Sequence, residues 1–84
     1  MISARLIGVP TCRRYQKMRE VLMVEATRLD LPIDLYEIND TPHLMQFNPL
    51  SLPQLHIEGE LAAAGNPPTA ADVERRLQEV AAQQ

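Results

Sequence analysis

The sequence predicts an α/β sandwich: a four-stranded mixed sheet with helices on both faces, in the order β-α-β-(α)-β-β-α. Three observations predict it. An apolar N-terminal run, a helical stripe and a second strand-like segment make a β-α-β unit, whose strands are parallel with a right-handed crossover. Two further apolar segments flank Glu58-Gly59, which reads as an antiparallel hairpin. A second amphipathic stripe closes the chain.

Each element has a local reason. Ile2 to Val9 carries Ile2, Leu6, Ile7 and Val9 with few polar breaks, as a strand buried on both faces would, and Gly8 and Pro10 end it. From Cys12 to about Leu29 apolar residues recur at Tyr15, Met18, Val21, Leu22, Val24, Ala26 and Leu29, a stripe wide enough to cover one side of a sheet. Thr11 is the expected N-cap, because its hydroxyl can accept from an unpaired first-turn amide. Asp30 and Pro32 close the helix, and Ile33 to Ile38 forms the second strand. Thr41 is a good N-cap and Pro42 a good first helical residue for one or two turns through Phe47, which Asn48-Pro49 stops. Leu55 and Ile57 alternate with Gln54 and His56 before the turn, and Leu61 to Ala64 returns. After the breaker Gly65-Asn66-Pro67-Pro68, Thr69 and Asp72 resemble a capping box for a helix with Val73, Leu77, Val80 and Ala81 on its apolar side.

The totals bound the function. A chain of 84 residues is read as one domain, residues 1–84. Its core is modest, since such chains bury roughly 60% of their unfolded surface, and a homodimer would suit it. No apolar run approaches the ~20 residues that span a bilayer, so no membrane role is expected. The first residues read as a strand start, not a signal peptide. A single cysteine forms no internal disulfide, which makes the cytoplasm the expected compartment. The net charge of −3, with one sparse basic cluster at Arg13, Arg14, Lys17 and Arg19, argues against nucleic acid as the partner. His43 and His56 show no metal-ligand spacing with Cys12, so no metal and no cofactor is expected. Asp34, Glu37 and Asp40 read as a solvated strand edge, and Met18, Met23 and Met45 as core filler.

Cys12 is the residue that points to chemistry. It stands between the first strand and the first helix, where helix N-terminal amides and the neighbouring Arg13 and Arg14 favour a thiolate, and where the Thr11 hydroxyl could donate to it. The strand-Gly-loop leading to Cys12, the helix after it, the Leu52-Pro53 step into the hairpin and the closing helix after Gly65 together resemble the small, glutaredoxin-sized thioredoxin-like proteins, over roughly Ile2 to Val80. The resemblance implies a thioredoxin-like sandwich with Cys12 as the catalytic, attacking cysteine of a degenerated Cys-X-X-Cys motif, here Cys-Arg-Arg-Tyr. It also implies that Pro53 is the cis-proline beside it, with partners received at Tyr15, Leu52 and Pro53. Two positions depart from the family: Tyr15 replaces the resolving cysteine, and Leu52 stands where a small polar residue is common.

Without a second cysteine the expected mechanism is monothiol. Cys12 exchanges with protein disulfides or glutathione, and an external thiol releases it. The rival reading is a degenerate thioredoxin fold kept as a protein-binding or assembly module, using the Pro53 groove without redox activity. A third is an iron–sulfur or soft-metal carrier ligated by Cys12 across a dimer, although the Cys-Gly-Phe-Ser motif is missing. Tyr15 is expected to fill the resolving position with its ring on the core and its hydroxyl at the surface.

Overall fold

The computed structural model describes residues 1–83. Its sheet has the order β2-β1-β3-β4, formed by β1 (Ile2–Ile7), β2 (Ile33–Ile38), β3 (Gln54–Ile57) and β4 (Glu60–Ala64). β1 and β2 run parallel, from Ile2 opposite Ile33 to Ile7 opposite Ile38, whereas β3 is antiparallel to both β1 and β4. Helix α1 (Arg13–Arg28) connects the parallel pair, α2 (Thr41–Leu44) follows β2, and α3 (Ala70–Ala82) ends the chain. This is the predicted α/β order with a mixed sheet. One element is new: a single 3-10 turn at Pro49–Ser51, capped by the Asn48 side chain, which accepts from the Leu50 amide. Asn48-Pro49 therefore starts a turn as well as stopping α2.

Alternation in β1 and the stripe of α1 build the core. Ile2, Ala4 and Leu6 of β1 and Leu55 and Ile57 of β3 point to one face of the sheet. Tyr15, Met18, Leu22 and Ala26, spaced three or four apart, bring one side of α1 onto that face, and Val73, Leu77 and Val80 of α3 complete it. Val24 was counted in the stripe but is exposed, because two residues beyond Leu22 the helix has turned about 200° away. The expected cover on both faces is unequal. α1 and α3 touch each other and share the core cluster, whereas α2 buries no residue. β1 is correspondingly shorter than expected and does not have two fully buried faces. It stops at Ile7, Val9 is 48% exposed, and Arg5 points to the open side beside its cross-strand neighbours Tyr36 and His56.

The helix ends correct two expected caps. The residue flanking α1 is Cys12, not Thr11, and the residue flanking α2 is Asp40, not Thr41. Each helix begins one residue away from where the hydroxyl residue suggested, and neither flanking side chain makes a cap hydrogen bond. Thr69 caps α3 as expected, its hydroxyl accepting from the Asp72 amide. Glu58 and Gly59 both have positive φ, 51° and 80°, the combination that closes a two-residue hairpin with the twist of its strands.

α1 ends in a tight reversal. The Leu31 amide donates to the Ala26 carbonyl and the Asp30 amide to that of Thr27, which forces Asp30 to φ 57°. Leu31 then packs against the core. A left-handed conformation costs a side-chain-bearing residue roughly 1–2 kcal/mol, less for Asp than for most. Asp30→Gly therefore stabilises the fold by about 0.5–1 kcal/mol, read as a higher denaturant midpoint at unchanged slope. Among the described residues no helix is long and apolar enough to cross a membrane.

Candidate functional site

The loop from β1 to α1 sets the position of Cys12. Pro10 follows Val9 in a turn closed by the Cys12 amide donating to the Val9 carbonyl, and the Cys12 carbonyl accepts from Gln16 as α1 begins. The thiol is half-buried at the helix N-terminus and is free. As a neutral group it makes no cap hydrogen bond. The anion is favoured nonetheless: the Tyr15 and then the Arg14 backbone N–H hold the pKa below the ordinary thiol range, burial opposes them, and the Arg14 charge adds a smaller pull. Thr11 and Arg13 are not among the groups that move it. Both are exposed, and of the paired arginines it is Arg14 that turns toward the site, its guanidinium 3.5 Å from the Gly65 carbonyl.

Three chain segments meet behind this thiol. The Leu52–Pro53 peptide bond is cis, Pro53 is buried and Leu52 half-buried. The Pro53 carbonyl accepts from the Gly65 amide, which ties the entry of β3 to the loop after β4. Gly8, at the end of β1, lies against both Pro53 and Tyr15: a Cβ there would be 3.0 Å from the Pro53 Cβ and 3.0 Å from the Tyr15 Cδ2. Only a glycine lets the proline and the tyrosine ring approach this closely. Gly8→Ala is expected to destabilise the fold by about 1–3 kcal/mol, the usual cost of overpacking, as measured by chemical denaturation.

Tyr15 fills the position of the missing cysteine. Its ring is 1% exposed. Its hydroxyl is not at the free surface but inside a polar cluster. It donates to Glu37 Oε1 at 2.8 Å and accepts from Asn39 Nδ2 at 2.9 Å, and the same Asn39 amide group donates to the Gly8 carbonyl at 3.0 Å. Arg19, one turn along α1, pairs with Glu37 at 3.3 Å. Burial, together with the Glu37 carboxylate, pushes the phenol up to about 12, so it stays protonated and remains a donor. A groove of about 400 Å³ runs beside this cluster between α1 and the end of β2, lined in part by Pro10, Gln16, Met23 and Val24.

Sequence reasoning did not identify Gly8, Glu37, Asn39 or Gly65. Glu37 was read as a solvated edge residue, yet its register opposite Leu6 places it on the helix-covered face, within reach of Tyr15. The signal available was Glu37 falling out of the alternation of β2 next to Asn39, a residue able both to donate and to accept. The histidines stand apart from the thiol: His43 pairs with Asp40, and His56 with Gln54. Among the described residues no three of His, Cys, Asp and Glu gather in a way that could hold a metal ion.

A comparison with curated proteins finds no match. A comparison with family models finds the thioredoxin domain over residues 5–78, which takes in the second half of β1, the Cys12 loop, the Leu52–Pro53 step, the hairpin and most of α3. With this match and the β2-β1-β3-β4 sheet, the chain belongs to the thioredoxin domain family.

Proposed function

We propose that this is a monothiol thioredoxin-like protein that carries out thiol–disulfide exchange through Cys12 with an external thiol as resolver. The observation that carries the reading is the half-buried Cys12 thiol at the start of α1, whose pKa is lowered by the first-turn amides and by Arg14. In the first step the thiolate attacks one sulfur of a partner disulfide, forming a mixed disulfide and expelling the other sulfur as a thiolate. Tyr15, buried and without a thiol, cannot displace it. An external thiolate, such as glutathione, then attacks the mixed disulfide. When the first substrate is a glutathione-capped protein, the protein leaves as thiolate in the first step; one incoming glutathione thiolate then takes the cap off Cys12 as oxidised glutathione, and Cys12 returns as thiolate. The reading assigns Arg14 to stabilising the anion and the half-buried Leu52 beside Pro53 to the receiving surface for the partner; Tyr15, expected there from the sequence, is 1% exposed and lies behind that surface. The reading also assigns the protein to the cytoplasm, where thiols are kept reduced.

A specific observation favours a second reading, that of a binding module without redox chemistry. Leu50 is 87% exposed, and its carbonyl lies against Gly65, which in turn neighbours Arg14, so an unpaired apolar side chain borders the site.

The test is the alkylation rate of Cys12 against pH, with the unfolded chain as its own reference. The rate follows the thiolate, whose ordinary midpoint is about 8.5. Because the folded pKa is lowered, the folded protein should keep reacting as pH falls below the midpoint of the unfolded chain. A folded midpoint at or above the unfolded one removes the exchange reading and leaves the binding module.

A further inference from the structure

We infer that Tyr15 is a positioning residue for Cys12: its hydroxyl, gripped between Glu37 and Asn39, fixes the first turn of α1 so that the free amides of that turn stay directed toward the N-cap residue, Cys12. The inference rests on the exchange reading and says what maintains the reactive state.

The geometry runs through one residue. Cys12 is the N-cap of α1 and Tyr15 the third helical residue, the position whose free amide is directed back toward the N-cap side chain; that N–H is also the largest influence favouring the Cys12 thiolate. The first turn of a helix is where amides lack intrahelical partners and where the chain frays, so their direction is not set by the helix itself. Here the side chain of the same residue is anchored from three directions. Gly8 packs against the ring, Glu37 at the end of β2 accepts a hydrogen bond from the hydroxyl, and Asn39 donates to the hydroxyl while holding the Gly8 carbonyl. Arg19 fixes Glu37 from the next turn of α1. The hydroxyl thus uses both a donor and an acceptor role among fixed partners, and the cluster connects the ends of β1 and β2 to the helical residue three places after the N-cap Cys12.

Filling space does not require this arrangement. A phenylalanine ring would occupy the same volume, and a buried hydroxyl is an expense to the fold unless it is fully bonded. The hydroxyl adds orientation, and the catalytic consequence of orientation falls on Cys12.

Tyr15→Phe, Glu37→Ala and Glu37→Gln separate a positioning role from a structural one, with alkylation of Cys12 by iodoacetamide as the readout and circular dichroism to establish folding. Tyr15→Phe is expected to slow alkylation at neutral pH by about twofold to tenfold, the range a single hydrogen bond commands, and to raise the midpoint. Glu37→Ala is the sharper variant, since Glu37 is partly solvent-exposed and its loss is tolerable to the fold. Removing a carboxylate by charge alone would lower a thiol midpoint, so a raised midpoint in Glu37→Ala has the sign that lost positioning gives. Glu37→Gln keeps an acceptor for the hydroxyl and should stay at or below the wild-type midpoint. Folded Tyr15→Phe and Glu37→Ala proteins with wild-type or lower midpoints overturn the inference, whatever their stability. Should Tyr15→Phe not fold, Glu37→Ala against Glu37→Gln decides alone. The exchange reading is judged separately, on the wild-type midpoint against that of the unfolded chain.

Discussion

Cys12→Ser is expected to abolish the proposed disulfide exchange and to leave the fold slightly more stable. The loss is complete because Ser supplies no thiolate and no sulfur to form the mixed disulfide, and the chain has no second cysteine to take over. The gain follows from the position. Cys12 flanks the start of α1 without making a cap hydrogen bond, and serine is among the preferred residues there, its hydroxyl accepting from a first-turn amide for about 0.5–2 kcal/mol. Release of glutathione from a capped protein measures the first effect and a denaturant titration the second. Retained turnover in Cys12→Ser would sink the exchange reading. A partner that binds wild type and Cys12→Ser equally would support the binding module.

Leu22→Ala is the largest stability effect expected from a single truncation. Leu22 is fully buried at the centre of the α1 stripe, in one cluster with Met18, Leu77 and the inward residues of β1 and β3. Removing its branched end costs about 2–5 kcal/mol, from lost burial and from the cavity left behind. A domain of this length has only about 4–12 kcal/mol in total, so the variant loses a large share of its stability. Val24→Ala, on the same helix but exposed, should stay within about 0.5 kcal/mol of wild type. If the two variants lose equal stability, the assignment of the buried side of α1 is wrong.

The elements were legible in the sequence because each has its own short-range period. Tyr15, Met18, Leu22 and Ala26 repeat at helical spacing, Leu55 and Ile57 alternate, and Glu58-Gly59 and Thr69 mark a turn and a cap with side chains suited to those conformations. The position of Cys12 was legible for the same reason, as the junction of two periods. What the sequence could not specify is how distant residues meet. The Tyr15 hydroxyl finds Glu37 and Asn39 from 22 and 24 residues away, and no local pattern encodes that contact. Arg13 and Arg14 look alike along the chain, but 100° of helical rotation separates them, and Arg14 is the one placed to act on the sulfur. Thr11 failed as a cap for a subtler reason: the turn from Val9 to Cys12 carries the chain one residue further before the helix begins.

The exterior position of β2 has a consequence for association between copies. An unpaired strand edge is a template for another chain, and β2 presents six residues of it. If two copies met there antiparallel, paired residues would share a face of the joined sheet, so in the register centred on Tyr36 the Glu37 carboxylate of each copy would fall opposite Leu35 of the other. That pairing sets a charge against an apolar side chain and offers no favourable cross-strand contact. Glu37 on the helix-covered face and Asp34 on the other thus leave neither face of the β2 edge free of charge, which guards it against pairing edge to edge.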